Sequence, residues 1–157
     1  GGGGGNDTES YDLPWYFAAT MTATDAWEKR GKKGYLFTFG DEMPPAGLSL
    51  KDLGRVFESG GQIDFSAKEL LTMAEEKWHV FHIIIEQGYY AGRNPSRVLK
   101  AWRKLMGNRA VPLDNYKHLA ETVIACIRIS EGADVEEIIT ATQDNTIKST
   151  LKHAFGA

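Results

Sequence analysis

The stretch GYLFTFGDE (residues 34–42) decides the fold class of this chain. It begins as an almost continuous run of apolar β-forming residues and stops at Gly40-Asp41-Glu42. A continuous run, in contrast to an alternating one, is typical of a strand that is buried on both faces, as in a parallel sheet covered by helices. The stretch WHVFHIII (residues 78–85) has the same character and predicts a second buried strand.

Helical patterns surround these two strands. Before the first strand, Leu13, Phe17 and Met21 recur at every fourth position and predict a helix over residues 9–28. Gly31 is expected to end this helix. Its candidate N-caps are three short polar residues, Thr8, Asp7 and Asn6. Further helices are predicted over residues 48–59, 65–77, 95–106, 114–130, 135–142 and 146–155.

Two of these helices carry more specific signals. Ser66 followed by Glu69 predicts a capping box at the start of the helix over residues 65–77. The helix over residues 114–130 is expected to bury its apolar residues, which are Leu119, Val123, Cys126 and Ile127.

The order of these elements indicates an α/β protein with three layers, in which helices flank a mostly parallel, Rossmann-like sheet. NRAVPL (residues 108–113) predicts a short edge strand, because Pro112 cannot donate a ladder hydrogen bond. Since so few strands are visible, we expect the N-terminal strands of the sheet to precede residue 1. Residues 1–113 are then the C-terminal portion of the α/β domain, and residues 114–157 are helices that pack on it.

The bulk properties restrict the possible partners and location of the protein. The chain has 157 residues and a formal net charge of −3, which argues against a strongly basic nucleic-acid binder. No apolar run approaches the ~20 residues of a membrane span, so we expect no membrane partner. Cys126 is the only cysteine and cannot form an intrachain disulfide, which favours a reducing, cytoplasmic location.

The candidate site lies beyond the carboxyl ends of the two strands, where open α/β sheets bind ligands. Asp41 and Glu42 follow the first strand, and Gln87 lies in the loop after the second. A carboxylate pair suits a hard cation, although Asp41 as the cap of a turn or helix is an alternative. The sequence GGGGGNDTES (residues 1–10) offers backbone N–H groups and short oxygen side chains before a helix. A flexible tether or an expression scar explains that segment equally well.

The remaining polar residues suggest no chemistry. His79 and His82 are three positions apart on a strand, so they face opposite sides of the sheet and are expected to serve packing. Cys126 lies on an apolar helix face without an evident base. EKRGKK (residues 28–33) and KAWRK (residues 100–104) mix cations with tryptophan nearby, and both are interpreted as solvated helix faces or ends.

Three segments together resemble a known family: GGGGGNDTESYDLPWYFAA, WEKRGKKGYLFTFGDE and WHVFHIIIEQ. They are similar to the C-terminal part of bacterial proteins with a von Willebrand factor type A-like (VWA-like) domain. The resemblance implies a Rossmann-like sheet that holds Mg²⁺ in a metal-ion-dependent adhesion site. Asp41 matches the metal-binding aspartate of the fourth strand, and Thr8 matches the ligand from the glycine-rich loop, with Asn6 and Glu9 as alternatives. The Asp-x-Ser-x-Ser element of the family is absent, so Mg²⁺ binding by this chain is expected to be weak or absent.

The resemblance implies a non-enzymatic protein-interaction module. A metal at Asp41 would accept an acidic side chain of a protein partner, with Glu42 and Gln87 as neighbouring partner contacts. One alternative is a metal-assisted enzyme or a phosphate-ligand protein that uses the same strand ends, and another is a structural subunit whose metal site is lost. An exposed strand edge at residues 35–39 predicts self-association.

Overall fold

The computed structural model describes residues 9–56 and 64–156. The chain divides into two compact units. The first unit contains the residues up to Leu36 and those from Met43 to Val80. The second unit contains Phe37–Glu42 and the residues from Phe81 onward. The domain boundary expected after residue 113 stays a prediction.

The described strands are β1 (Gly34–Gly40), β2 (Gly47–Leu48), β3 (Phe65–Ser66), β4 (Trp78–Ile85) and β5 (Ala110–Leu113). The described helices are α1 (Asp12–Thr20), α2 (Asp25–Arg30), α3 (Leu50–Val56), α4 (Ala67–Glu75), α5 (Pro95–Met106), α6 (Leu119–Ser130), α7 (Val135–Ala141) and α8 (Asn145–Phe155). Short 3₁₀ turns span Gly107–Arg109 and Tyr116–His118. Among the described residues, no helix combines the length and the apolar character that a membrane span requires.

Within the described residues, β1, β4 and β5 form a three-stranded parallel sheet in the order β1-β4-β5. β4 pairs with β5 from His82 opposite Ala110 to Ile85 opposite Leu113. The strand predictions for residues 78–85 and for the edge position of Pro112 are confirmed. The fold is mixed α/β with flanking helices and is compatible with a Rossmann-like fold.

The prediction that β1 is buried on both faces is wrong. Of its residues only Thr38 is buried, and the side chain of Phe39 is 43% exposed. β4 instead buries Val80 through Ile84. The difference follows from position, because β1 lies at an edge of the described sheet whereas β4 lies between two strands. Self-association through this edge stays a prediction.

The helix predicted over residues 9–28 is interrupted between α1 and α2. Thr24 begins α2 as its N-cap, and its side chain accepts the N–H of Trp27 at 3.3 Å. Thr20 Oγ1 donates to the carbonyl of Tyr16 at 2.7 Å, and such local bonds make threonine-rich segments poor helix interiors. α1 has Tyr11 as its N-cap, and the side chain of Tyr11 does not cap the helix. The predicted caps Asn6, Asp7 and Thr8 are therefore wrong for α1, and they lie outside the described residues. Gly31 ends α2 with a φ of +61°, as expected.

The first unit has its own core between α1 and α4. Trp15, Leu70 and Leu71 are fully buried there. The capping box of Ser66 and Glu69 at the start of α4 is confirmed. The antiparallel pair of β2 and β3 was not expected from the sequence. It requires Gly47, because a Cβ at its φ of +137° would lie 2.1 Å from the carbonyl oxygen of Phe65.

The second unit has a separate helical core. α6 begins at Leu119, later than predicted, because residues 116–118 form a 3₁₀ turn. The predicted buried side of α6 is partly wrong. Its fully buried residues are Thr122, Ala125 and Cys126. The observed buried face of α6 is rotated relative to the predicted one, because α7 and α8 cover it with Ile138, Ile139 and Leu151.

Candidate functional site

The loops after β1 and β4 meet at the carboxyl ends of these strands, as the sequence predicts. Asp41 Oδ2 accepts the backbone N–H of Tyr90 at 2.8 Å. Gly88 gives the carboxyl group room, because a Cβ on Gly88 would come within 2.3 Å of Asp41 Cβ. Asp41 therefore joins the two loops, which agrees with the turn-capping alternative. Its other oxygen has no hydrogen-bond partner among the described residues.

The two predicted partner contacts lie in different environments. Gln87 is exposed, and its Oε1 accepts the backbone N–H of Tyr116 at 2.9 Å, which links the loop after β4 to the turn after β5. Glu42 is partly buried, and its backbone carbonyl accepts Nε1–H of Trp102 at 2.8 Å. Gln87 is thus at the surface of this edge, while Glu42 anchors α5 through its main chain.

The structure brings no complete metal site together among the residues it describes. No group of three or more His, Cys, Asp or Glu side chains within residues 9–56 and 64–156 could hold a metal ion. Glu9 is exposed in the first unit, whereas Asn6 and Thr8 lie outside the described residues. A hard cation takes ~6 oxygen ligands, so Asp41 with its described neighbours does not suffice. The Mg²⁺ site stays a prediction.

A polar network at the end of β5 was missed from the sequence. Thr150 Oγ1 donates to Asp114 Oδ1 at 2.7 Å and lies 2.9 Å from Nδ1 of His118. The hydroxyl has a single proton, so His118 donates its Nδ1–H to Thr150. Thr150 is only 2% exposed, and the network therefore holds α8 against the end of β5. No local signal predicts it, because the partners are 32 and 36 residues apart.

A second contact of α8 at the same edge joins His153 and Glu86. His153 Nε2 lies 2.6 Å from Glu86 Oε2, and the side chains are 43% and 14% exposed, respectively. His118 and His153 are thus each paired with a group near a strand end.

His82 serves packing, as predicted. It is fully buried, its ring stacks on that of Trp102 at a centroid distance of 3.6 Å, and its Nδ1 lies 2.8 Å from Thr38 Oγ1. Burial lowers the pKa of His82 to about 3, so it is neutral at physiological pH. Burial also raises the pKa of the Cys126 thiol to about 12, which agrees with an unreactive cysteine.

Exposed aromatic side chains at this edge were also missed. Tyr89 is 75% exposed in the loop after β4, and Tyr116 is 56% exposed in the turn after β5. The guanidinium carbon of Arg93 lies 4.0 Å from the centroid of the Tyr89 ring, and its Nη1 donates to Tyr89 Oη at 2.6 Å. Tyr89 thereby holds Arg93 in one orientation at the start of α5.

The fold and the strand-end loops define a mixed α/β protein with a parallel sheet compatible with a Rossmann-like fold. No family model, no curated protein and no solved structure matches the chain. The resemblance to the VWA-like family therefore rests on the sequence motifs alone.

Proposed function

We propose that this chain is a non-enzymatic protein-binding module of the VWA type, with a three-layer fold and a binding face at the carboxyl ends of β1, β4 and β5. The observation that carries this proposal is the exposure of Tyr89 and Tyr116 in two loops that Gln87 joins by a hydrogen bond. Tyrosine is enriched in protein interfaces, because it buries a large area at a small cost in side-chain entropy.

The ionisable groups of the same edge favour binding over catalysis. Asp41 accepts the N–H of Tyr90, and Asp114 accepts the hydroxyl of Thr150. Each group holds a loop or helix in place, whereas general acid–base catalysis needs such groups to converge on a reacting atom.

The metal is the finer part of the proposal. Asp41 supplies one carboxylate ligand of a divalent cation, and the further ligands are those that the resemblance assigns to the glycine-rich segment. An acidic side chain of the partner occupies the open coordination position. Binding of such a partner depends on Mg²⁺ or Mn²⁺.

Asp41→Asn tests the metal. The amide oxygen can still accept the N–H of Tyr90, so the loops are retained while the negative charge is lost. Calorimetric titration with MnCl₂ and MgCl₂ is expected to show weak binding to the unmodified chain and at least about tenfold weaker binding still to the variant, because a hard cation favours anionic oxygen.

A matched control is Asp134→Asn. Asp134 also accepts a backbone N–H, that of Glu137 at 3.1 Å, and asparagine caps a helix as well as aspartate does. This variant is expected to bind metal like the unmodified chain. If the unmodified chain binds neither metal, or if both variants lose binding equally, the metal part of the proposal fails.

The enzymatic alternative is favoured by one observation, the contact of His153 with Glu86. A carboxylate that orients an imidazole at a strand end is a common acid–base arrangement. A screen of phosphate esters with Mg²⁺ is expected to show no turnover by the binding module. Turnover that His153→Gln abolishes would replace the proposal.

A further inference from the structure

The charge of the chain is unevenly distributed around α5. Between Gln87 and Leu113 there is no Asp or Glu, and there are six basic residues. These are Arg93, Arg97, Lys100, Arg103, Lys104 and Arg109. Since the whole chain has a net charge of −3, the remaining residues carry −9. A local excess of this size concentrates positive potential on one segment.

Three of these cations share one face of α5, and a fourth lies in the turn before it. We call the four the basic stripe: Arg93, Arg97, Lys100 and Lys104. Spacings of three and four residues place Arg97, Lys100 and Lys104 in line along α5, whereas Arg93 lies in the turn before the N-cap. All four are exposed. Within the described residues none of them is in an ion pair, and Arg93 is the one whose side chain makes a hydrogen bond or ring contact, both with Tyr89.

Helix stability explains Lys104, which lies in the last turn of α5, but it does not explain the cations at the start of the helix. Cations are favourable near the C-terminus of a helix and unfavourable near its N-terminus. Arg97 lies in the first turn of α5, and that turn contains no acidic residue. On α5 itself, Arg97 with Lys100 and Lys100 with Lys104 are like charges three and four residues apart, which repel. These cations therefore destabilise the helix in the free chain, and a bound anion would reduce their repulsion.

We propose that the basic stripe binds an acidic segment of a protein partner. The inference rests on the proposed function, since it extends the binding face from Tyr89 along α5. The helical part of the stripe, from Arg97 to Lys104, spans ~10 Å at a rise of about 1.5 Å per residue. That length matches about two turns of an acidic helix, or about three residues of an extended acidic segment.

The observations favour a peptide over a nucleic acid. The guanidinium groups of Arg93 and Arg97 suit bidentate contacts with carboxylates. A short acidic segment fits within the stripe, whereas a long polyanion would continue beyond it, and the rest of the chain, with its charge of −9, repels such a ligand.

The test measures binding of a labelled oligo-glutamate peptide to the full chain by fluorescence anisotropy at low salt. We expect saturable binding, no binding of an oligo-glutamine peptide, and at least about tenfold weaker binding of oligo-glutamate to the Arg97→Glu/Lys100→Glu variant. An Arg97→Gln/Lys100→Gln variant is expected to bind oligo-glutamate with an affinity between those of the unmodified chain and the glutamate variant. Denaturant midpoints measured alongside show that both variants are folded.

The matched control is Lys32→Glu/Lys68→Glu. Both lysines are exposed in the first unit, and within the described residues their side chains make no hydrogen bond or ion pair. The control changes the net charge of the chain by the same amount, so it is expected to bind oligo-glutamate nearly as well as the unmodified chain. Equal weakening in the control and the stripe variant would overturn the inference, because net charge alone would then explain binding.

Other outcomes also test the inference about the basic stripe. Absence of oligo-glutamate binding, or tighter binding of an oligothymidylate of similar charge, overturns the inference, the latter in favour of a nucleic acid. Binding to the stripe needs no metal, so EDTA is expected to leave it unchanged. If the chain binds oligo-glutamate but neither Mg²⁺ nor Mn²⁺, only the metal part of the proposed function is contradicted. Metal binding that Asp41→Asn abolishes, without oligo-glutamate binding, would contradict only the stripe.

Discussion

The two faces of α5 differ in what they do for the folded chain. One face buries Val98, Trp102 and Met106, and Trp102 contacts the ring of His82 and the carbonyl of Glu42. The other face carries the basic stripe, with no ion pair among the described residues. The first face stabilises the fold, while the second places like charges side by side and puts the cation of Arg97 at the unfavourable end of the helix dipole. A feature that costs stability in the free chain points to a role outside the chain.

The largest expected effect is at the buried face. Trp102→Ala removes a fully buried indole and its hydrogen bond, and is expected to lower the free energy of unfolding by about 3–5 kcal/mol. Trp102→Phe keeps a ring against His82 and is expected to cost less. Urea denaturation measures both, with Lys104→Ala on the exposed face as the control. If Trp102→Ala costs no more than Lys104→Ala, the comparison of the two faces is wrong.

The next effect is the pH dependence that His82 confers. Above its ordinary pKa of 6.5, His82 is neutral in both the folded and the unfolded chain and has no effect. Between 6.5 and the folded value of about 3, the unfolded chain takes up a proton that the folded chain does not. His82 is therefore expected to lower stability by about 1.4 kcal/mol per pH unit as the pH falls through this window.

Denaturation of the unmodified chain and of His82→Phe at pH 7 and at pH 5 measures this contribution. Phenylalanine retains a ring that can stack on Trp102 but does not titrate. The stability difference between the two pH values is expected to be smaller in His82→Phe. An identical difference in both proteins would show that other groups cause the acid sensitivity.

The smallest effect is at the exposed face, and its sign is opposite. Arg97→Glu replaces a cation by an anion in the first turn of α5, so it is expected to raise the free energy of unfolding by about 0.3–1 kcal/mol. The same substitution is expected to weaken oligo-glutamate binding. Urea denaturation checks the first expectation, and a loss of stability would show that Arg97 has a structural role.

Much of the fold is predictable from local patterns. The apolar run of residues 78–85 predicts β4 within its observed bounds, and Ser66 with Glu69 predicts the start of α4. Both signals depend only on neighbours in the sequence. The exposure of β1 was not predictable, because an apolar strand at an edge and one at the centre of a sheet have the same composition. The break before Thr24 has a local cause, the threonines near it, which outweigh the apolar repeat.

The candidate site was likewise predictable only in part from the sequence. The sequence places Asp41 and Gln87 at the carboxyl ends of strands, and the structure confirms those positions. The sequence does not identify Tyr90 as the donor to Asp41, and it does not identify the contact of Thr150 with Asp114. These pairs are 49 and 36 residues apart, and their contact exists only after the strands and helices have packed.

The sequence by itself determined the alternation of helices and apolar strands, the carboxylates at the end of β1, and the basic composition of residues 87–113. These follow from properties that are local or additive along the chain, namely hydrophobic periodicity, capping and charge. Only the tertiary structure decided which strand is buried, that Asp41 bonds to the backbone of Tyr90, and that the basic stripe has no ion pair among the described residues. Each of those depends on contacts between distant segments, whose geometry is set by packing.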